Sequence, residues 1–243
     1  SKPGVGGSEG DWLGQTMDDR AEEVSAAVDW AVAQDDVPTG TIVLWGASQA
    51  GWVIPKVARD REDIDGVVAV GTAINWLRQG RFNLLAELER DDATTQEQEA
   101  AIEESDRTRS LLERGASYEE YLSAAAGADT MTEARWGFVR RNFEADATAD
   151  LVASASRPVP VLLMAGTKDR NVDVAETEET YRSIFGSTLT VTRVDGAHSL
   201  ARPVMEDNDL AGLLTGTFWP RALFAPGVID GYTAFLSHIP PPA

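Results

Sequence analysis

Four short apolar runs separated by helical segments constrain the fold of this chain more than any other feature. The runs share a high content of Val, Ile and Leu and cover residues 41–45, 64–70, 158–164 and 188–194. The run at 64–70 is almost uninterrupted by polar residues, as in strands that are buried on both faces of a sheet. Helical spacing follows at 50–59 and 174–184, a helix start is expected at Thr16, and a last helix is expected over 228–238. The pattern predicts an α/β fold with a mostly parallel sheet flanked by helices.

The strand pattern disappears between residues 76 and 150, where Glu, Asp, Arg and Ala dominate and Leu and Ile recur at helical spacing. We expect an all-helical insertion here, attached to the core by the aromatic residues Tyr118, Tyr121, Trp136, Phe138 and Phe143. The chain then divides into a core of residues 1–75 and 151–243 and a cap of residues 76–150 that covers an active site as a lid. The apolar segment 207–227 is predicted to be irregular.

The composition limits the classes of partner and of chemistry. Forty Asp and Glu residues against 21 Lys and Arg residues give a net charge of −19, which disfavours binding to nucleic acids and to anionic membranes. The absence of cysteine removes disulfides, thiolate metal sites and a cysteine nucleophile. The first seven residues lack the apolar core of a signal peptide, and no run is long enough to span a membrane, so a cytoplasmic location is favoured. The low lysine content fits either a salt-adapted surface or a GC-rich genome.

Residues 46–51, with the sequence GASQAG, place a serine between glycines directly after the first predicted strand. Because a helix is expected to begin within a few residues of Ser48, the turn between them is sharp and its backbone strained at the serine. Such a turn presents the hydroxyl at the carboxyl end of the strand, beside the positive end of a helix. The alternative is an ordinary glycine-rich turn. Trp52 either lines a pocket beside this turn or packs the helix against the sheet.

A serine hydroxyl needs a base to become nucleophilic, and the chain contains two histidines. His198 follows the fourth predicted strand in a glycine-containing loop, whereas His238 lies near the end of the last helix, as expected of a surface or capping residue. We therefore predict that His198 is the general base. Asp169, in the loop after the third strand, is predicted to orient it. Asp173, a candidate helix cap, and Asp195, which is too near His198 in sequence, are the rival carboxylates.

These segments together resemble the α/β-hydrolase superfamily, in particular its serine esterase and serine aminopeptidase-like members with a helical cap. The similar segments are the nucleophile elbow at 44–52, the acid loop at 166–172, the histidine loop at 196–199 and, at 3–8, the loop after the family's fourth strand. Ala50 stands where the family often has glycine, a change of one methyl group.

The resemblance implies a triad of Ser48, Asp169 and His198, with the backbone N–H of Gln49 as half of an oxyanion hole. It implies hydrolysis of a small-molecule acyl substrate without a metal or an organic cofactor. The early strands of the family do not occur in this sequence, so we expect it to be the carboxyl-terminal part of a longer protein whose amino-terminal segment supplies the second oxyanion donor. Hydrolysis of a carboxylic ester is the leading prediction. An aminopeptidase-like serine peptidase and a non-catalytic binding module are the alternatives.

Overall fold

The centre of the molecule is a four-stranded parallel sheet. The computed structural model describes residues 2–125, 130–206 and 208–239. The strands, in their order across the sheet, are β1 (Val43–Ala47), β2 (Gly66–Val70), β3 (Val161–Gly166) and β4 (Leu189–Val194). Each neighbouring pair is parallel. Every residue of β2 and β3 is buried, which explains why their sequences lack polar alternation. The predicted α/β fold class, with a parallel sheet flanked by helices, is confirmed.

Helices connect and surround the strands. In chain order they are α1 (Met17–Val32), α2 (Ile54–Asp60), α3 (Trp76–Arg90), α4 (Thr95–Glu113), α5 (Tyr118–Ala124), α6 (Glu133–Asn142), α7 (Thr148–Ser154), α8 (Val174–Phe185), α9 (Pro203–Glu206), α10 (Asp209–Phe218) and α11 (Val228–His238). The predicted start of α1 is confirmed, because Thr16 and Asp19 form a reciprocal capping box. In the described part of the chain, no helix combines the length and the apolar character required to cross a bilayer.

Two sequence expectations need correction. Residue 207 lies outside the described residues, but most of the rest of segment 207–227, predicted to be irregular, forms α10 and a 3₁₀ turn at Pro220–Leu223. Leu210, Leu213 and Phe218 of α10 remain more than 60% exposed, so the apolar residues of this helix do not form the core-facing stripe that reveals a helix in sequence. The helix expected over 50–59 is also shorter, because a 3₁₀ turn precedes α2.

The segment predicted to be a cap contains α3 to α6 and the beginning of α7, with residues 126–129 outside the description. Part of it has its own apolar cluster, in which the rings of Tyr121 and Trp136 stack with centroids 4.4 Å apart. Phe138, in contrast, is fully buried in the apolar cluster that packs on one face of the sheet. Of the five aromatic residues expected to attach this segment to the core, Phe138 does so, whereas Tyr121 and Trp136 pack within the segment itself. Its division from the core at residues 76 and 150 remains a prediction.

Candidate active site

Ser48 lies at the end of β1 in strained backbone. Its φ is 54°, so it is one of three non-glycine residues in the described chain with a left-handed conformation. Such a conformation costs about 1–3 kcal/mol and persists only where the surroundings enforce it. Two glycines allow this: a Cβ on Gly46 would clash with the side chain of Ile54, and a Cβ on Gly51 would lie 2.5 Å from the carbonyl oxygen of Ala73. Close packing therefore holds the serine in its turn.

Asp169 and His198 form a pair at the ends of β3 and β4. The distance between His198 Nδ1 and Asp169 Oδ2 is 2.8 Å. The other carboxylate oxygen, Oδ1, accepts backbone N–H groups of Asn171 and Val172 at 2.8 and 2.9 Å. The Asp169 side chain is fully buried and that of His198 is 18% exposed. Because the carboxylate only accepts, we assign the proton to Nδ1, which leaves Nε2 as the acceptor that a general base requires.

The sheet register determines where Ser48 lies relative to this pair. Ala47 pairs with Val70 across β1 and β2, so Ser48 and Gly71 are the next residues beyond the sheet on neighbouring strands. Gly71 in turn lies next to His198, because a Cβ built on it would be 3.2 Å from Nδ1 of the ring. No hydrogen bond joins Ser48 to His198 within the described residues, and in unliganded enzymes this contact often tightens only when substrate binds. The assignment of Ser48 as the nucleophile remains a prediction.

Gly71 is a structural residue of the site that sequence reasoning missed. Its φ is 49°, and its N–H donates to the carbonyl of Met164 at 2.9 Å. A Cβ here would lie 3.2 Å from both Asp169 Oδ2 and His198 Nδ1, so only glycine leaves room for the pair without displacement. A glycine directly after a fully apolar strand was the available signal.

The acid loop and the histidine loop are bound to each other. Lys168 donates its backbone N–H to the carbonyl of Gly196 at 2.9 Å, and Thr167 donates to Val194 at 2.8 Å. Gly166, at the end of β3, lies so close to the carbonyls of the histidine loop that any Cβ would clash with them. These contacts fix the relative position of the two loops and hence of the acid and the imidazole.

The rival residues lie in other surroundings. Asp173 caps α8 by accepting the N–H groups of Ala175 and Glu176 at 3.0 and 3.1 Å. Asp195 lies 3.3 Å from the hydroxyl of Thr167. His238 places Nδ1 2.6 Å from the carbonyl of Ala234 at the end of α11. In the described chain, none of these three side chains hydrogen-bonds to His198.

Gln49 and Trp52, the two residues after Ser48 with a predicted role, have different surroundings. The side chain of Gln49 accepts a hydrogen bond from Arg20, which joins α1 to the turn at Ser48 and had no signal in the sequence. Trp52 is 5% exposed, donates its ring N–H to the carbonyl of Ile74 at 2.8 Å and packs against Trp76. Trp52 therefore packs within the core, and it is not among the residues that line the cleft beside His198.

A cleft of about 160 Å³ opens beside His198. Its polar lining comes from α3, the acid loop and the histidine loop and includes Glu87, Arg90, Lys168, Arg170, Asn171 and His198. Within the described residues, no group of three or more His, Asp or Glu side chains is arranged to bind a metal ion.

Comparison with known proteins gives one family. The sequence profile of the family described as X-Pro dipeptidyl-peptidase (S15 family) matches residues 1–199. No curated protein matches the chain.

Among solved structures, the chain is similar to an α/β hydrolase, GrgF, from a Penicillium species, with 14% identity, a TM-score of 0.53 and coverage of 98% of this chain and 78% of that one. It is similar to an enol-lactonase from Burkholderia xenovorans, with 17% identity, a TM-score of 0.50 and coverage of 96% and 79%. An esterase from Pyrococcus furiosus matches with 16% identity and a TM-score of 0.49 over 90% of this chain and 66% of its own. The chain thus spans slightly less than two thirds of that esterase, and at these identities the likenesses to GrgF and to the enol-lactonase show the fold.

Proposed function

Because the chain belongs to the X-Pro dipeptidyl-peptidase (S15) family within the α/β-hydrolase superfamily, we propose that it is a serine hydrolase that cleaves a carboxylic ester or a related acyl bond. Ser48 is the nucleophile, His198 the general base and Asp169 the residue that orients the imidazole. The observation that carries the proposal is the buried 2.8 Å Asp169–His198 pair at the same sheet edge as a serine in strained left-handed backbone.

The reaction follows from the positions of these groups. Ser48 Oγ forms a bond to the carbonyl carbon while its proton moves to Nε2 of His198. The N–H of Gln49 donates to the developing oxyanion, a contact whose loss typically costs about 3 kcal/mol of barrier lowering. When the tetrahedral intermediate collapses, the bond to the leaving group breaks and the leaving group takes the proton from His198. Water, deprotonated by His198, then attacks the acyl-enzyme, the bond from the acyl carbon to Ser48 Oγ breaks to release the acid, and His198 returns the proton to Oγ.

Labelling by a fluorophosphonate tests the nucleophile directly. In the full-length protein, Ser48 Oγ would displace fluoride and form a stable bond to phosphorus, because only an activated serine reacts in this way. We expect the Ser48→Ala variant to lose the label. The matched control is Ser183→Ala, an exposed serine whose hydroxyl only bonds the carbonyl of Thr180 in α8, and this variant should label like the wild type. Absence of label on the wild-type protein would favour a non-catalytic binding module.

A peptidase is the second candidate, because the matching family is described as X-Pro dipeptidyl-peptidase. The enol-lactonase, a structural relative, is named for the hydrolysis of a cyclic ester. Parallel assays with short p-nitrophenyl esters and with an alanyl-proline anilide separate the two candidates. We expect faster turnover of the esters, and a higher kcat/KM for the anilide would assign the peptidase instead. Loss of both activities in Ser48→Ala excludes a contaminating enzyme.

A further inference from the structure

The cleft beside His198 is lined by charges of the opposite sign to the molecule as a whole. The protein has 40 acidic and 21 basic residues, yet Arg90, Lys168 and Arg170 all line this cleft, with Arg90 also paired to Asp91 at 2.8 Å. Glu87 is the one carboxylate among its described lining residues. A concave site lined by cations concentrates the local field and attracts an anion even when the net charge of the protein is negative. The lining therefore indicates an anionic ligand.

The position of these cations is set by α3. Gln79 and Asn83 on this helix donate to the backbone of the acid loop, to the carbonyl of Asn171 at 2.9 Å and to that of Arg170 at 3.3 Å. One and two turns further along the same face, Glu87 and Arg90 line the cleft. The helix that contributes one wall of the cleft thus also holds the loop that contributes the other, so the cationic lining is organised before a ligand arrives.

Lys168 differs from the two other lysines of the chain. Lys56 forms ion pairs with Asp18 and Asp150 at 2.7 and 3.0 Å, and Lys2 lies over the ring of Trp12. The ammonium of Lys168 has no carboxylate partner within the described residues, although its backbone N–H is held by the carbonyl of Gly196. In a chain this acidic, a lysine that faces a cleft without a carboxylate partner is available for an anionic ligand.

The cleft includes the proposed general base but not the proposed nucleophile. His198 lines it, whereas Ser48 and Gln49 do not. In the proposed reaction His198 passes its proton to the leaving group, so a leaving group seated in this cleft lies beside the residue that protonates it. We propose, on the basis of the proposed function, that the cleft binds a carboxylate carried by the leaving group of the substrate. The substrate class is then an ester or amide whose departing alcohol or amine bears a negative charge.

Two butyrate esters that differ in one charge test the proposal. The leaving group of the first is 4-hydroxybenzoate and that of the second is 4-hydroxybenzamide, so the acyl group is shared and a carboxylate is exchanged for a neutral amide. For the full-length wild-type protein at low ionic strength, we expect kcat/KM to be about tenfold higher for the charged ester. The preference should shrink in 0.5 M NaCl, since salt screens exposed charges. A wild-type ratio of one or less would overturn the proposal.

Variants locate the effect in the cleft. Lys168→Gln should reduce the ratio of the two kcat/KM values by about threefold, because it removes one of three cations. Arg114→Gln removes the same charge from an exposed position at the end of α4 that does not line the cleft, and it should leave the ratio unchanged. Equal ratios in the two variants would show that the preference comes from the general field and would reject the cleft as its source.

A binding measurement keeps this proposal separate from the proposed function. If the wild-type protein hydrolyses neither ester, the proposed function fails, but benzoate and benzamide can still be compared as ligands by calorimetry on the Ser48→Ala protein. Tighter binding of benzoate, weakened by the additional change Lys168→Gln, would support an anion site. Equal affinities for benzoate and benzamide would overturn it.

Discussion

The turn at Ser48 and the pair of loops that carry Asp169 and His198 are held in place by different forces. Ser48 is kept in left-handed backbone by the close approach of Gly46 and Gly51 to their neighbours. The acid and the imidazole are held by hydrogen bonds that use both oxygens of one buried carboxylate. Packing responds to added volume and hydrogen bonds respond to altered donors and charges, so the two halves of the site should fail under different substitutions.

The largest effect is expected from a change that leaves volume intact and alters one hydrogen bond. Asp169→Asn keeps the size of the side chain but offers an N–H₂ to Nδ1, which favours the wrong tautomer of His198. We expect kcat to fall by about 10³–10⁴ with little change in the unfolding midpoint. Steady-state kinetics with a p-nitrophenyl ester and thermal unfolding measure the two.

Asp173→Asn is the control for this change, because it makes the same replacement at the cap of α8, where Asn caps as well as Asp. Its activity should match the wild type. An equal loss in both variants would remove Asp169 from its proposed role.

The next largest effect is expected from one methyl group added in the closely packed turn at Ser48. In Gly51→Ala the Cβ would lie 2.5 Å from the carbonyl oxygen of Ala73 and 2.9 Å from Cβ of Thr72, and the backbone must move. We expect the free energy of unfolding to fall by about 2–3 kcal/mol, measured by denaturation in urea. Unchanged stability would mean that this turn is not held by packing.

A pH titration of the buried Glu178 on α8 tests the same contrast between packing and hydrogen bonds outside the site. Burial would raise the pKa of Glu178, but the hydrogen bonds from Arg182 and Arg193 at 2.6–2.7 Å outweigh it, and this pKa lies below its ordinary value of 4.5. The folded state therefore favours the ionised carboxylate. Its stabilisation is fully present above about pH 4.5 and is lost as the pH falls through the lower pKa of the folded state.

Replacing this carboxylate should remove the pH-dependent part. Glu178→Gln is expected to cost about 1 kcal/mol at pH 7, a small amount because both arginines are more than half exposed. The difference from the wild type should shrink below pH 4.5 in urea unfolding, whereas the loss in Gly51→Ala should not change with pH. The exposed Glu99→Gln is the control. A pH-independent difference for Glu178→Gln would contradict the argument.

The smallest effect has the opposite sign. A Cβ on Gly80, inside α3, would meet nothing within 4 Å. Gly80→Ala should therefore stabilise the protein by about 0.5–1 kcal/mol through the helix propensity alone. Urea unfolding of this variant beside Gly51→Ala would show the same chemical change acting in two directions. A loss of stability at Gly80 would imply a contact outside the described residues.

The sequence predicts the sheet well because buried parallel strands need continuous apolar runs. All four runs overlap a strand, although β1 begins at Val43 and not at residue 41, since the end of a strand depends on its hydrogen-bond partner. The helix α10 could not be predicted from the sequence. A helix is recognised by the spacing of its buried apolar residues, whereas the apolar residues of α10 are exposed.

The site is predictable to the extent that its residues follow strands. Asp169 and His198 each come after an apolar run, and parallel strands end at one edge, so their proximity is a reasonable expectation. The contributions of Gly71 and Arg20 depend on contacts between segments far apart in sequence. A Cβ on Gly71 would meet the ring of a residue 127 positions later, and Arg20 donates to Gln49 across 29 positions. No local pattern contains such distances.

The helix α3, part of the segment predicted to be a cap, has two roles. Through Gln79 and Asn83 it holds the backbone of Arg170 and Asn171, the two residues that follow Asp169, so the segment that lines the cleft also braces the proposed catalytic acid. A chimera that imports this segment from another hydrolase would replace those two amide braces together with the cleft wall. Substrate range and the alignment of the acid with the imidazole would then change together. A graft that is meant to alter specificity alone must therefore retain Gln79 and Asn83.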